Sequence, residues 1–417
     1  MSDTAKQPKT LLVISQAYVP DPASVGQHMH SAAAAMAKRG YRVIAYASAR
    51  GYDDPSRKYP KHEVRDGVNV RRLTLSSFGK ASFALRLLAA LLFVAQCAVR
   101  GLFVRNLGGV LVSTSPPMCS MAAIIIATVR RKPIVFWAMD INPDQLVTLG
   151  WATENSLPVR LLAWLNRALL NRADQIVTLD RFMAERLCTK ADIRHKLHVM
   201  PPWPHEDHLE VVEHQDNPFR KQHGLEDKFV IMYSGNMGLT TPVTPLLQAA
   251  LRLQDERDLL FMFIGGGFGM AEVHKAIEQH HPSNIKALPY QPMDTLKYSL
   301  SAADVHAVTM VDQVVGIVHP CKVYGAMTVQ RPILFLGPAP SHVADLLQVD
   351  HIGWHVPFGD TDATVQTIRQ ILGTDRQELA EMGRRARQII RGRLSEAYLC
   401  GRFADVMEQA LGQARDA

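Results

Sequence analysis

Short apolar runs alternate with helix-like stretches along almost the whole chain, and this alternation restricts the fold more than any other feature. The first run, TLLVIS at residues 10–15, leads into a loop with Pro and Gly, then an apolar-periodic helix at about 27–38, and then YRVIAYAS after Gly40. Strands and helices that alternate in this way normally build a parallel sheet. Further runs follow at VNVRRLTL, GVLVSTS, PIVFWAM and QIVTLD. We therefore predict a Rossmann-like α/β domain in the first half.

A second series of the same kind begins with KFVIMYSG at residue 228. It continues through LLFMFIGGG, NIKALPY, ADVHAVTM, PILFLGP and HIGWHVP. The stretch between the two series, about 198–228, contains Pro residues and many charges, which is typical of a linker. We predict two doubly wound α/β domains over residues 1–205 and 206–417, with the helical C-terminal end able to pack back on the first.

The two halves of the chain differ in charge. Residues 1–200 contain 27 Lys and Arg against 13 Asp and Glu, whereas residues 201–417 contain 19 against 26. This asymmetry suggests that the first half meets an anionic membrane surface, a phosphorylated lipid or nucleic acid; an unevenly charged, solvated surface is the alternative. We expect no nucleic acid partner, because the basic run at 384–393 has no interleaved aromatic residues.

The cysteines and the N-terminal segment predict a cytoplasmic protein. The five cysteines are scattered and form no CxxC pair, which fits a reducing compartment and argues against a structural zinc site. The segment MSDTAKQPKT lacks the apolar region of a secretory signal. Residues 1–9 are predicted to be a loose tail.

Residues 83–103, FALRLLAALLFVAQCAVRGLF, form a strongly apolar helical pattern. The 13 residues between Arg86 and Arg100 are nearly all apolar, which is shorter than the roughly 20 residues that a membrane-spanning helix needs. Two interpretations remain open. The helix belongs to the core of the first domain, or it lies in a membrane interface with Arg86, Arg100 and Arg105 among the headgroups. Together with the basic charge, residues 83–105 suggest contact with an anionic membrane at the inner face of the plasma membrane.

Two glycine-rich loops follow strands of the second series. YSGNMG, residues 233–238, would let the backbone come close to a ligand and would hold a phosphate on amide groups. The second loop has Gly265, Gly266, Gly267 and Gly269, which do not complete a G-x-G-x-x-G motif. No acidic residue ends the next strand, so the sequence gives little support for a nicotinamide dinucleotide site.

The longest motif is GIVHPCKVYGAMTVQRPILFLGP at 316–338. Together with YSGNMG, LPYQP at 288–292 and the opening of the first domain, it resembles the family 4 retaining glycosyltransferases of the GT-B fold. The resemblance covers essentially the whole chain and is strongest to the branch that makes bacterial surface polysaccharides of the colanic-acid and O-antigen type. It implies transfer of a sugar from a UDP- or GDP-sugar, bound in a cleft between two Rossmann-like domains, to a lipid-linked or polysaccharide acceptor.

The resemblance implies roles for residues of the second, donor-binding domain. Lys322 would stabilise the departing diphosphate, and His319 would contact the phosphate or the sugar. Gly235 and Asn236 would line the phosphate end of the donor, with Gly238 helping the turn. The other donor-binding residues that it implies are Tyr290, Gln291 and Tyr324. A turn without a ligand and a surface lysine beside a helix start are the alternatives.

In the first, acceptor-binding domain the candidates are Asp140 and Gly26. Asp140 lies in FWAMDINPDQ just past a strand end, where open α/β sheets bind ligands. The resemblance implies that it orients or activates the acceptor hydroxyl, whereas the alternative is a helix N-cap. Gly26 would let the first loop approach the donor phosphates.

The chain departs from the family pattern at two places. The glutamate pair that many members carry is replaced by Ile317 and Gly325, and the LTTPVTP segment has no cation for the diphosphate. Ribose recognition would then fall to backbone groups or Asp312, and the diphosphate charge to Lys322. We expect no metal requirement, because no DxD motif stands at a suitable position. A non-catalytic binding partner and a sugar-nucleotide epimerase are the alternative functions, and the small number of candidate carboxylates disfavours the epimerase.

Overall fold

The computed structural model describes residues 8–21, 23–51, 56–76, 83–116, 118–204 and 208–412. The chain divides into two compact units, the first made of residues 1–202 and 397–417 and the second of residues 203–396. The predicted boundary after residue 205 and the first seven residues of the predicted tail lie outside the described residues.

Eight strands form one sheet in the described part of the first unit. They are β1 (Thr10–Ile14), β2 (Arg42–Ser48), β3 (His62–Arg65), β4 (Val68–Leu73), β5 (Leu107–Ser113), β6 (Ile134–Ala138), β7 (Gln175–Thr178) and β8 (Leu197–Val199). Their order is β3-β4-β2-β1-β5-β6-β7-β8, and the pairs are parallel except for β3 with β4. That hairpin turns at Asp66 and Gly67, both with positive φ, as a type I′ turn requires.

Helices cover both faces of this sheet. They are α1 (Ser24–Lys38), α2 (Phe83–Leu102), α3 (Cys119–Val129), α4 (Asp144–Thr148), α5 (Leu157–Arg172) and α6 (Arg181–Cys188). The central strands β1 and β5 are buried along their whole length, as parallel strands between two helical layers normally are.

Six parallel strands lie in the described part of the second unit. They are β9 (Phe229–Asn236), β10 (Leu259–Gly266), β11 (Ile285–Leu288), β12 (Val305–Thr309), β13 (Ile333–Leu336) and β14 (Gly353–Val356). Their order, β11-β10-β9-β12-β13-β14, reverses direction between β9 and β12. Ligands of open α/β sheets bind at the carboxyl ends of the strands beside such a reversal.

The helices of the second unit complete its layers. They are α7 (Pro218–His223), α8 (Thr244–Arg252), α9 (Phe268–His280), α10 (Leu296–Ser301), α11 (Lys322–Thr328), α12 (His342–Asp350), α13 (Thr361–Leu372) and α14 (Arg376–Arg391). Tyr233, Phe261 and Phe263 are fully buried in the apolar core between the sheet and these helices. Both units are therefore doubly wound α/β structures, which confirms the predicted fold class.

The last helix, α15 (Glu396–Gly412), packs on the first unit. The Phe403 ring lies 4.2 Å from the Trp137 ring of β6, measured between centroids. At the surface, Arg39 forms ion pairs with Asp405 at 2.7 Å and Glu408 at 2.6 Å. The first unit is thus built from both ends of the chain.

Helix α2 has one buried and one exposed apolar face. Phe93 and Cys97 are fully buried, whereas Leu88 and Val99 are exposed. One face of the helix therefore belongs to the core of the first unit, and its contact with a membrane stays a prediction. The Arg86 side chain lies outside the described part of the chain. No helix within the described residues is long and apolar enough to cross a membrane.

Candidate functional site

The carboxyl ends of β9 and β10 meet through glycines at the sheet reversal of the second unit. Gly235 and Gly265 have φ of 131° and 140°, a region that side chains rarely adopt. A Cβ on Gly265 would lie 2.0 Å from the carbonyl oxygen of Gly235. Only glycine therefore allows the two strand ends to approach this closely.

The second glycine loop folds onto the first. Gly267 has φ of 98°, and a Cβ there would lie 2.5 Å from Oδ1 of Asn236. The amide of Met237 donates to the carbonyl of Gly266 at 2.8 Å. The two loops therefore pack against each other as one structure. This packing explains why glycines cluster in the second loop although they do not complete a dinucleotide-binding motif. Helix α9 follows the second loop directly, whereas α8 begins only at Thr244.

Lys322, the first residue of α11, reaches into this loop structure. Its Nζ donates to the carbonyl oxygen of Asn236 at 2.6 Å, to Oγ1 of Thr241 at 3.2 Å and to the hydroxyl of Tyr233. It also lies 4.5 Å from the centroid of the Tyr233 ring. A Cβ on Gly235 would lie 3.2 Å from Cε of Lys322, so the glycine also leaves room for the lysine.

Among the described residues, the hydrogen-bond partners of Lys322 are all neutral oxygens. Burial lowers the pKa of Lys322 to about 7, and burial raises the pKa of Tyr233 to about 12, so the phenol stays neutral. The described ion pairs do not include Lys322. With this pKa, Lys322 is only partly charged at neutral pH. An anionic ligand at the carboxyl ends of the strands beside the reversal would favour its protonated form.

Two histidines and a tyrosine form a hydrogen-bonded group, two of whose members, His319 and Tyr324, flank Lys322 in sequence. Nε2 of His319 is 2.7 Å from the hydroxyl of Tyr324, which is 2.9 Å from Nε2 of His342. A tyrosine hydroxyl donates only one proton, so one histidine accepts while the other donates. His342 was not predicted from the sequence, because it lies on α12 and no motif includes it. Tyr324 is buried, and its hydroxyl is the atom that bonds both histidines.

Tyr290 packs over the second glycine loop. A Cβ on Gly266 would lie 3.0 Å from Cε2 of Tyr290, whose side chain is otherwise exposed. Nε2 of the neighbouring Gln291 donates to the carbonyl of Pro289 at 2.8 Å. Gly238 lies in the first loop, where a Cβ would be 3.2 Å from Nδ2 of Asn236.

The positions of the missing glutamates differ in their surroundings. Ile317 is fully buried, so its side chain is part of the apolar core. Gly325 lies on α11, and a Cβ there would meet only Cδ1 of Leu300, at 3.8 Å. Asp312 is exposed in a short 3-10 turn just beyond β12. Within the described residues, no group of three His, Cys, Asp or Glu side chains is arranged to hold a metal ion.

In the first unit, Asp140 lies just beyond the carboxyl end of β6, and burial raises its pKa to about 6. The N-cap alternative is wrong, because α4 begins at Asp144 with Pro143 in the cap position. Asp140 lines a small cavity together with Ser113 and Asn166. Ser113 Oγ and Asn166 Oδ1 are buried and have no hydrogen-bond partner among the described residues. The sequence did not point to either side chain.

Gly26 lies in the first turn of α1 and is buried. A Cβ there would lie 2.9 Å from the backbone N and Cα of Tyr18, in the loop that follows β1. The structure thus shows a packing reason for this glycine, and its contact with donor phosphates stays a prediction.

Two family models match the chain, one in each unit. The model described as "Glycosyl transferase 4-like domain" matches residues 24–203, and the model described as "Glycosyl transferases group 1" matches residues 215–389. Together they span most of both sheets and include Asp140 in the first match and Lys322 in the second.

Two curated relatives are similar to the chain in sequence. The probable glycosyltransferase WbjE of Pseudomonas aeruginosa is 25% identical over 306 residues, which cover 73% of this chain and 76% of WbjE. The putative colanic acid biosynthesis glycosyl transferase WcaI of Escherichia coli K12 is 26% identical over 259 residues, covering 61% of this chain and 63% of WcaI.

Two solved structures share the fold. Sucrose-phosphate synthase from Thermosynechococcus elongatus has a TM-score of 0.76 at 14% identity, covering 97% of this chain and all of that one. HepE from Anabaena, in complex with UDP, has a TM-score of 0.71 at 16% identity, covering 96% of this chain and all of that one. At these identities the similarity shows the GT-B fold alone.

Proposed function

The chain belongs to the glycosyltransferases that join a glycosyl transferase 4-like domain to a group 1 domain, and we propose that it transfers a sugar with retention from a nucleoside diphosphate sugar. The observation that carries this proposal is the position of Lys322, which lies at the sheet reversal and, among the described residues, has only neutral oxygen partners. The proposed acceptor is a lipid-linked or polysaccharide glycan of the cell envelope. The relative WcaI supports this choice, because it is described as a putative colanic acid biosynthesis glycosyl transferase.

The donor diphosphate would bind over the two glycine loops. Lys322 supplies a positive charge there, and its three donors can be redirected from the neutral oxygens to phosphate oxygens. The same charge stabilises the leaving diphosphate in the transition state, so the proposal requires no metal ion. A UDP- or GDP-sugar fits this chemistry, and the similar HepE has been solved with UDP and with UDP-glucose. Tyr290 beside the loops is the proposed neighbour of the nucleobase.

Asp140 is the proposed base for the acceptor hydroxyl. A base works best when its pKa lies near the working pH, and burial has moved the Asp140 pKa towards that range. The unpartnered Ser113 Oγ and Asn166 Oδ1 in the same cavity can bond a hydroxyl or a water molecule. We propose that His319, which is hydrogen-bonded through Tyr324 to His342, contacts the donor phosphate or sugar in addition to Lys322.

We expect Asp140→Asn to raise the free energy of unfolding above pH 6 by about 2–3 kcal/mol while lowering turnover by about 10²-fold or more. The pKa of Asp140 is about 6 in the folded protein and about 3.9 in an unfolded chain. The folded state therefore holds the proton more tightly between these values, and wild-type stability falls as the pH rises through this window. Asparagine carries no charge, so its advantage is full above pH 6 and disappears below about pH 4. Urea unfolding from pH 4 to 8 and initial rates measure the two effects.

Asp144→Asn is the matched control. Asp144 accepts from Nε of Arg186 at 2.8 Å and from Nζ of Lys190 at 2.7 Å, so its replacement should lower stability and keep turnover. If Asp140→Asn were less stable than wild type at pH 8, the burial argument would be wrong. If it kept full turnover, Asp140 would not be the base.

The proposed activity is tested directly by incubating the full chain with UDP- and GDP-sugars. UDP or GDP should raise the melting temperature by mass action, and at least one sugar nucleotide should be turned over with the anomeric configuration retained in the product. Binding without any turnover would support the non-catalytic binding partner instead. Conversion of the free donor into its epimer would support the epimerase.

The first unit also supports a peripheral position at the inner face of the plasma membrane. Helix α3 packs against both α2 and α5, so the three helices lie side by side. The exposed large apolar residues of these helices, which we term the apolar face, are Leu85, Leu87, Leu88, Leu91, Val99, Ile125, Val129, Leu157, Leu161 and Trp164. A tryptophan on an apolar surface in a basic half of a chain is typical of a membrane interface. Lipid-linked acceptors would reach the enzyme there.

We expect the double variant Leu88→Ser, Leu91→Ser to lower recovery with vesicles containing phosphatidylglycerol by about fivefold or more, because less apolar area enters the interface. Both leucines are exposed on α2, so folding should be kept. Vesicle flotation at low salt measures the effect, and Val349→Ser, a single change at a more exposed apolar residue of the second unit, is the control. Background recovery of wild type with both neutral and anionic vesicles would exclude the proposed membrane contact.

A further inference from the structure

A cavity of about 510 Å³ opens between the β3–β4–β2 edge of the first sheet and the C-terminal end of α2. Its floor is apolar, since it includes Ile44 and Tyr46 of β2, which are 3% and 1% exposed. Four arginines line it, namely Arg42, Arg71, Arg100 and Arg105, together with His62. We term this cavity the arginine pocket. Its volume is in the range of small-molecule sites, roughly 300–1,000 Å³.

The positive charge of the arginine pocket is not neutralised within the described part of the chain. None of its four guanidinium groups forms an ion pair there, and the acidic residue of β3, Glu63, pairs with Arg65 and Arg72 instead. Burial raises the pKa of Tyr46, while the positive charges of Arg71 and Arg100 act in the opposite direction. Arginines from four separate parts of the chain thus converge without a counter-charge.

The arginine pocket lies away from the edge of the sheet where Asp140 lies. Arg42 begins β2 and Arg105 precedes β5, so both mark the amino-terminal edge of the parallel strands. Asp140 follows the carboxyl end of β6. The pocket is therefore separate from the residues proposed to activate the acceptor.

The chemistry of the pocket fits an anion joined to an apolar body. Guanidinium groups bind phosphate oxygens in pairs of parallel hydrogen bonds, and Arg is well suited to such sites. The apolar wall continues outward through Val99 and Phe103, which are 59% and 80% exposed. Val99 also belongs to the apolar face defined above, so the pocket borders that surface.

We propose that the arginine pocket binds the phosphate of an anionic phospholipid headgroup. This inference rests on the proposed membrane association, because the membrane would supply the lipid. It adds a defined lipid-binding site to a membrane contact that would otherwise depend on the apolar face and on the net positive charge of the first unit. The lipid chains would lie along Val99 and Phe103, while the phosphate would be held by two or more of the four arginines. The bound lipid would anchor the first unit and would take no part in the transfer itself.

The test compares two double variants with the same change in net charge. Arg100→Glu, Arg105→Glu alters the pocket, and Arg194→Glu, Arg402→Glu alters exposed arginines elsewhere in the first unit. With vesicles of 30% phosphatidylglycerol in phosphatidylcholine, we expect the pocket variant to bind at least about tenfold more weakly than wild type and the control at most about threefold. Arg100→Gln, Arg105→Gln should show a smaller loss of the same kind, and the unfolding midpoint checks that each variant is folded.

Soluble probes identify the ligand. Short-chain phosphatidylglycerol below its micellar concentration should bind the wild type and not the pocket variant, whereas inorganic phosphate at the same concentration should bind neither. Equal weakening by both double variants would overturn the site, and tight binding of inorganic phosphate alone would overturn the lipid assignment. UDP binding, measured on the same samples by thermal shift, should be unchanged in both variants, so failure of the lipid site is distinguishable from failure of the proposed transferase activity.

Discussion

Replacing Lys322 with alanine is expected to lower kcat/KM for sugar transfer by about 10²–10³-fold. The side chain donates to three neutral oxygens and to no carboxylate among the described residues. Its pKa of about 7 leaves it partly charged at neutral pH, and a bound diphosphate would favour the protonated form. That charge is needed most when the diphosphate departs, and the loss should therefore appear in kcat as well as in KM. Steady-state rates with the sugar nucleotide that the enzyme turns over measure both parameters.

Lys297→Ala is the matched control for Lys322→Ala. Lys297 is also partly buried in the second unit, and its Nζ lies 5.1 Å from the ring centroid of Tyr298, an arrangement similar to that of Lys322 over Tyr233. It lies on α10 and makes no described hydrogen bond to the glycine loops, so its replacement should leave kcat/KM unchanged. Equal effects of the two replacements, or UDP binding by Lys322→Ala as tight as that of wild type, would contradict the proposed role.

Lys322→Arg separates charge from geometry. The pocket around Nζ is sized for one ammonium group, with acceptors at 2.6 and 3.2 Å. A guanidinium is wider and planar, so the arginine variant should keep its charge but lose the position of the donors. We expect it to recover UDP binding in part while turnover stays low.

The sequence predicted the fold because parallel sheets leave a strong local pattern. Buried runs such as TLLVIS and LLFMFIGGG became β1 and β10, because helices on both faces require apolar side chains at nearly every position. The strand β3 was missed, since its alternating HEVR pattern is short and half exposed. Asp66 and Gly67 carried the missing signal, because an Asp-Gly pair between two runs is the sequence of a type I′ hairpin turn.

The sequence predicted single residues of the candidate sites better than their partners. Lys322 stands out in a local motif, but its acceptors Thr241 and Tyr233 are 81 and 89 residues away. Ser113 and Asn166 line one cavity with Asp140 because α5 packs on β6, the strand that pairs with β5. Nothing in their local sequences marks them. The arginine pocket is the extreme case, since its four arginines come from β2, β4, α2 and the loop before β5.

The glycine loops also lead to a prediction about stability. Gly265→Ala should lower the free energy of unfolding of the second unit by about 3–5 kcal/mol, because two costs add. The residue has φ of 140°, which an alanine adopts only under strain, and the added Cβ would lie 2.0 Å from the carbonyl oxygen of Gly235. Neither atom belongs to a flexible side chain, so β9 and β10 must separate at their carboxyl ends. Urea unfolding monitored by far-ultraviolet circular dichroism measures the loss.

Gly325→Ala is the matched control, because the same reasoning predicts that this replacement raises the free energy of unfolding. Gly325 is in the helix α11, and a Cβ there would meet only Cδ1 of Leu300, at an ordinary contact distance of 3.8 Å. Alanine should therefore stabilise the unit by up to about 1 kcal/mol, since glycine is the poorer helix former. If Gly265→Ala unfolded at the same urea concentration as Gly325→Ala, the strand ends would not be in close contact.

Gly265→Ala should also weaken UDP binding at urea concentrations where the variant is still folded. The reason is that Lys322 donates a hydrogen bond to Asn236, which lies on one of those strand ends.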